Sequence, residues 1–211
     1  MSAPTSTKLM TAEEFYEFVH RPENVDRCFE LVRGEVIELS RPTKPHGVVC
    51  IRVGRLLDAY AEQRGSGYVT SNDSGVILER DPDTVRGPDV AFYEDAATFD
   101  ELHPKYGEVP PLLAVEVLSP NDKPGKVMNK ITNYLQSGVQ RVWVLDPELR
   151  QVFIHRLDQS YRTLTQSDEL IDDVLPGFRC RVADIFRLPG EKAVTPSPSP
   201  PPPSAPSSPS H

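Results

Sequence analysis

Arg86-Gly-Pro-Asp89-Val-Ala-Phe-Tyr93, a polar interval, Leu112-Leu-Ala-Val-Glu116-Val-Leu-Ser-Pro120, then a helical segment that reaches Lys130: the reading of this stretch decides the fold. Residues 112–118 are continuously apolar except for Glu116, the pattern of a strand covered on both faces. A carboxylate inside such a run is costly to bury unless a partner or a cation meets it. Asp89 opens the other apolar run. Two carboxylates on adjacent strands, with a lysine on the next helix, suit metal-assisted cleavage of a phosphodiester.

Working outward, residues 126–137 read as a helix stopped by Gly138. Residues 141–146 read as a second buried strand. Strand, helix, strand predicts a right-handed crossover with Val115 and Trp143 on parallel neighbours. On the N-terminal side, Thr11 to Glu14 fits a capping box, and Phe15, Phe18 and Val19 give a short helix. Residues 29–39 read as a hairpin turning at Arg33-Gly34, with Glu30 on its first strand. From His46 on, Val49, Cys50, Val53, Leu56, Leu57 and Tyr60 keep the 3.6-residue period of a long helix, stopped near Gly65 and Gly67. Residues 67–70 and 75–79 are expected as short strands around a polar turn. Asp81-Pro-Asp83 makes another turn before a strand over 88–93, and 95–111 is a polar loop. Residues 151–156 and 161–165 alternate as a second hairpin, and 175–186 close the domain with a strand and a short helix. This is an α/β pattern: a mixed central sheet flanked by helices, with an N-terminal and a C-terminal hairpin.

The 211 residues suffice for one core. One domain over residues 11–188 is expected, between a flexible start (1–10) and a Pro/Ser-rich tail (189–211). The tail has too little apolar surface to offset chain entropy and is expected to be disordered. The net charge of −8 argues against a constitutive non-specific nucleic-acid binder, though not against an enzyme that meets nucleic acid through a cation. Three widely spaced cysteines, Cys28, Cys50 and Cys180, signal neither a zinc motif nor a disulfide framework, and fit a reducing cytoplasm. No signal peptide is seen, and no apolar run approaches the roughly 18 residues of a membrane helix.

Each candidate residue has a plainer reading. Asp89 in Gly-Pro-Asp could be a turn residue. Glu116 could be half of a structural ion pair. Lys130 lies beside the apolar stripe of Ile131, Tyr134 and Leu135, so it can point along the sheet towards Glu116; Lys126, one turn earlier, competes for that place. Glu30 could pair with an arginine. His46, at the start of the long helix, could be a surface residue or could touch a phosphate or a metal-bound water.

Taken together, Phe29-Glu-Leu-Val-Arg-Gly-Glu-Val36, Arg41-Pro…His46, Pro88-Asp89-Val, Val115-Glu-Val-Leu-Ser-Pro120 and Lys130…Tyr134…Gly138-Val…Val142-Trp-Val-Leu-Asp-Pro147 resemble the Uma-two family of restriction-endonuclease-like proteins, within the PD-(D/E)XK nuclease superfamily. The resemblance runs from about Thr11 to Phe186. It implies a restriction endonuclease-like fold and a metal-dependent DNA endonuclease. Asp89 and Glu116 would be ligands of Mg²⁺ or Mn²⁺, Lys130 the positive group at the scissile phosphate, Glu30 an accessory carboxylate, and His46 and Tyr134 further accessory residues. The superfamily pattern carries Glu-x-Lys on one strand. Here Glu116 is followed by Val117 and Leu118, and the lysine in the matching place is Lys130, on the next helix. Duplex DNA as substrate implies a homodimer, since two strands need two sites, and residues 151–154, expected as an apolar edge strand, would also need covering. Two rivals stay open: a catalytically silent binding module on the same fold, and a metal-dependent hydrolase of small phosphate esters.

Overall fold

Thr11 caps the first helix as its sequence requires: its side chain accepts from Glu14 N–H while the Glu14 carboxylate accepts from Thr11 N–H. The computed structural model describes residues 9–191; the expectations for residues 1–8 and 192–211 lie outside the described residues. In chain order the elements are α1 (Ala12–Val19), β1 (Cys28–Val32), β2 (Glu35–Leu39), α2 (Lys44–Arg64), β3 (Tyr68–Ser71), β4 (Val76–Glu79), β5 (Thr84–Arg86), β6 (Val90–Tyr93), a single 3₁₀ turn (Phe99–Glu101), β7 (Leu113–Val117), α3 (Pro124–Gln136), β8 (Arg141–Asp146), β9 (Gln151–Arg156), β10 (Tyr161–Leu164), β11 (Glu169–Leu170), β12 (Cys180–Arg181) and α4 (Val182–Ile185).

The central sheet has six strands in the order β10-β9-β8-β7-β6-β3. β7 and β8 run parallel, with Val115 opposite Trp143, and α3 makes the crossover between them. The other pairs are antiparallel. On one face, Val90, Val115, Trp143 and Ile154 pack with Val53 and Leu57 of α2 and with Ile185 of α4. On the other face, Ala114, Val142 and Val144 pack with Ile131 and Tyr134 of α3. Burying both faces is what makes β7 and β8 read as unbroken apolar runs. The fold is thus α/β, with a mixed central sheet flanked by helices.

A second sheet, in the order β2-β1-β5-β4, is antiparallel throughout. The β1–β2 hairpin turns through Arg33 (φ 50°) and Gly34 (φ 78°), two left-handed residues whose twist matches that of the flanking strands. Ala12 and Phe15 of α1 cover Leu31 and Val85 in a small core of their own. Asp83 pins the start of α1 by accepting from Ala12 N–H at 2.7 Å, and Arg80 ties Asp83, Glu13 and Glu108 together.

Three expectations change. The segments 67–70 and 75–79 do not form one unit: β3 edges the six-stranded sheet and β4 edges the four-stranded one. The strand β5, only three residues long, lies between the turn at 81–83 and the strand expected over 88–93, where no element was expected. The C-terminal hairpin is built into the central sheet, so the residues of β9 lie inside it and β10 forms that edge.

Candidate active site

The register of β6 on β7 ends at Val90 opposite Val115. One step further brings Asp89 beside Glu116. Asp89 does not continue the ladder. Its Oδ2 accepts instead from Val117 N–H at 2.6 Å, so the carboxylate takes a backbone donor at the end of the strand pair. Its Oδ1 lies 3.2 Å from His46 Nε2, in the first turn of α2. Thr43 caps that helix and fixes where His46 enters. The other ring nitrogen, Nδ1, lies 3.4 Å from Cys50 Sγ, one turn on. The neighbourhood of Asp89 holds the imidazole basic: burial pulls its pKa down, and Asp89, with help from Asp73 and Glu116, more than restores it.

Glu116 projects to the α3 face of the sheet. Tyr134 O–H donates to its Oε1 at 2.7 Å, and Lys130 Nζ lies 2.8 Å from its Oε2. Lys130 also lies 3.0 Å from Glu30 Oε1 and donates to Gly87 O at 3.2 Å. An ammonium has three N–H donors, and all three are used. Glu30 reaches the site from β1, where its Oε2 meets Arg86 Nη1 at 2.6 Å; Arg86 in turn donates to Asn133 on α3. The site therefore joins both sheets and two helices. Lys126, the competing lysine, is exposed.

The electrostatics divide the carboxylates. Burial pushes Glu116 up to about 8; Lys130 opposes this, and Asp89 and Glu30 reinforce it. Glu30 is held below the usual range, because Lys130 and Arg86 outweigh its burial. Lys130 stays firmly protonated: burial disfavours its charge, and Glu116, Glu30 and Asp89 more than compensate. Asp73, on the β3–β4 loop, belongs to the same electrostatic group, its carboxyl raised by desolvation and by Asp89. The backbone of Asp73 also lies against Gly87, where an added Cβ would stand 2.4 Å from Asp73 O.

The structure brings together Asp89, Glu116, Lys130, Glu30, His46 and Tyr134, all named from sequence. It adds Arg86, Cys50, Asp73 and Asn133. Arg86 opens the decisive stretch and Cys50 sits four residues after His46, so both had a positional signal; Asp73 and Asn133 had none. Asp89 and Glu116 offer hard carboxylate oxygens with lone pairs beyond those already engaged, a donor set that fits Mg²⁺ or Mn²⁺.

Among protein families, the model described as "Uma2: Putative restriction endonuclease" matches residues 12–183. No curated protein matches the chain. Among solved structures, a protein from Anabaena variabilis, titled "a putative nuclease belonging to DUF820", superposes with a TM-score of 0.71 at 17% identity, covering 84% of this chain and 97% of that one. At that identity the likeness speaks for the fold.

Proposed function

We propose, from the premise that this chain belongs to the Uma2 family, that it is a divalent-metal-dependent endonuclease hydrolysing phosphodiester bonds in duplex DNA. One observation carries the reading. Asp89 and Glu116 stand at the ends of adjacent strands, and the ammonium of Lys130 touches the carboxylate of Glu116.

In this reading Asp89 and Glu116 hold Mg²⁺ or Mn²⁺. Such an ion, when bound, polarises a phosphoryl oxygen and acidifies water. Val117 N–H and His46 orient Asp89, and Tyr134 orients Glu116. Lys130 supplies positive charge for the oxygens of the scissile phosphate. Glu30 and Gly87 O aim its ammonium, and Arg86 keeps Glu30 ionised. Two copies of the chain would serve the two strands of a duplex.

The test is supercoiled plasmid with Mg²⁺ or Mn²⁺, parent against Asp89→Asn. Nicked and linear products from the parent and none from the variant are expected. An intact plasmid with both metals ends the nuclease reading. The negative net charge and the fully engaged Lys130 favour the silent binding module, and that result would leave it standing unless a small phosphate ester is hydrolysed instead.

A further inference from the structure

Cys50 has no part in phosphodiester chemistry on Asp89 and Glu116, yet it closes a compact cluster. His46 and Cys50 are four residues apart on α2 and so share one face. A ligand atom from each of His46, Cys50 and Asp89 lies within 4.8 Å of the other two. We propose that these three side chains form a second cation site, one that takes a thiolate-accepting divalent ion such as Zn²⁺ or Co²⁺, with Asp89 shared between it and the Mg²⁺ or Mn²⁺ site.

Three observations converge. The first is spacing. Bonds of about 2.0 Å to nitrogen and about 2.3 Å to sulfur in a tetrahedral site set ligand atoms roughly 3.3–3.6 Å apart. One ligand atom from each of the three residues lies within 4.8 Å of the other two, so a small closure brings the set to that spacing. Cys50 Sγ meets His46 Nδ1 at 3.4 Å and Asp89 Oδ1 meets Nε2 at 3.2 Å; an ion takes one of these nitrogens, so binding breaks the hydrogen bond there and draws in the third ligand. The second is charge: burial, and then the carboxylates of Asp89, Asp73 and Glu116, hold the Cys50 thiol protonated, so an ion must displace that proton, while the same carboxylates give the spot a field that favours a cation. The third is ligand softness. One sulfur, one imidazole and one carboxylate match a borderline ion, whereas Mg²⁺ wants oxygen alone. The plain alternative is a structural S–H···N hydrogen bond along a helix face, which a serine at position 50 would preserve.

The experiment is titration of the full, reduced chain with Co²⁺ alone, read by the sulfur-to-cobalt charge-transfer absorption in the near ultraviolet. The absorption should rise and saturate at one ion per chain, vanish on adding Zn²⁺, be absent in Cys50→Ser and persist in Cys28→Ser. A folded parent with no such band overturns the site. So does a band that survives in Cys50→Ser or is lost in Cys28→Ser. If Cys50→Ser does not fold, a band that persists in both Cys28→Ser and Cys180→Ser assigns the sulfur to Cys50, and a loss in either overturns the site. The outcome is separable from the nuclease reading. A parent that shows the band but cuts no plasmid keeps this site and loses that function, and one that cuts plasmid without the band does the reverse.

Discussion

At the scale of single residues, Glu116 is the group whose behaviour is most constrained. Its ordinary pKa of 4.5 is pushed up to about 8, so the fold prefers the protonated carboxyl. The stabilisation this gives is complete below about pH 4.5 and is lost as pH rises through about 8. Glu116→Gln removes that titration. In chelator, the variant's stability should vary less than the parent's between those limits, and the two should differ most at the alkaline end. Urea melts at several pH values check this; parallel curves would mean Glu116 is not buried as an acid. The same variant should lose metal affinity by calorimetry and cleavage by orders of magnitude, since charge holds a hard cation. For Lys130→Met, ionised Glu30 loses one of its two cations and Glu116 loses the ammonium that opposes its protonation. A cost of about 3 kcal/mol is expected from breaking a buried pair, with cleavage reduced about a hundredfold or more. Lys126→Ala should change neither, and equal effects of the two would return the phosphate role to doubt. Glu116 was legible because it breaks the apolar run of residues 112–118 and so announces itself, whereas the roles of Asp89, Lys130, Glu30 and His46 came from the resemblance of their motifs to a family. The Glu30–Arg86 pair was legible only in kind: the sequence says Glu30 wants an arginine, and the chain, 56 residues on, says which.

At the scale of elements, helices and hairpins were read correctly where a local rule governs them: the capping box of α1, the Gly65 stop of α2 (φ 71°) and the Arg33-Gly34 turn. What failed was pairing. The segments around Asn72 and Asp73 look like the two arms of a hairpin, but their partners are β6 and β5, in different sheets. Local pattern fixes which residues face a core and does not fix which core. The loop between those arms is held by a close approach that only glycine permits. Gly87→Ala would drive a methyl into the backbone of Asp73, an overpacking cost of about 1–3 kcal/mol. It would also shift the Gly87 carbonyl that receives Lys130. Cleavage should fall further than the melting temperature implies. A stable Gly87→Ala protein with full activity would show that the loop moves aside freely.

At the scale of the whole molecule, the edge strand β10 carries exposed Tyr161, Arg162 and Thr163, and it is here, rather than at the interior β9, that a second copy could extend the central sheet. A homodimer that pairs β10 strands should be lost on Thr163→Pro, which removes a ladder donor, with the far-ultraviolet spectrum kept. Light scattering giving a monomer for the parent at every working concentration would count against duplex cleavage by one assembly. The arrangement of the two sheets has a last consequence. The four-stranded sheet and α1 rest on a cluster with few fully buried residues, and the six-stranded sheet on a much larger one under α2 together with the cluster under α3, which Leu78 of β4 also touches. The Lys130 ammonium and Arg86 span from one to the other. The smaller layer is the cooperative unit expected to open first. On warming, catalysis should therefore switch off while most of the chain is still folded, with amide hydrogens of β1 and β5 exchanging before those of β7 and β8. The proposed activity would carry its own thermal fuse, set by the weaker of two layers and tripped below the temperature at which the larger layer melts.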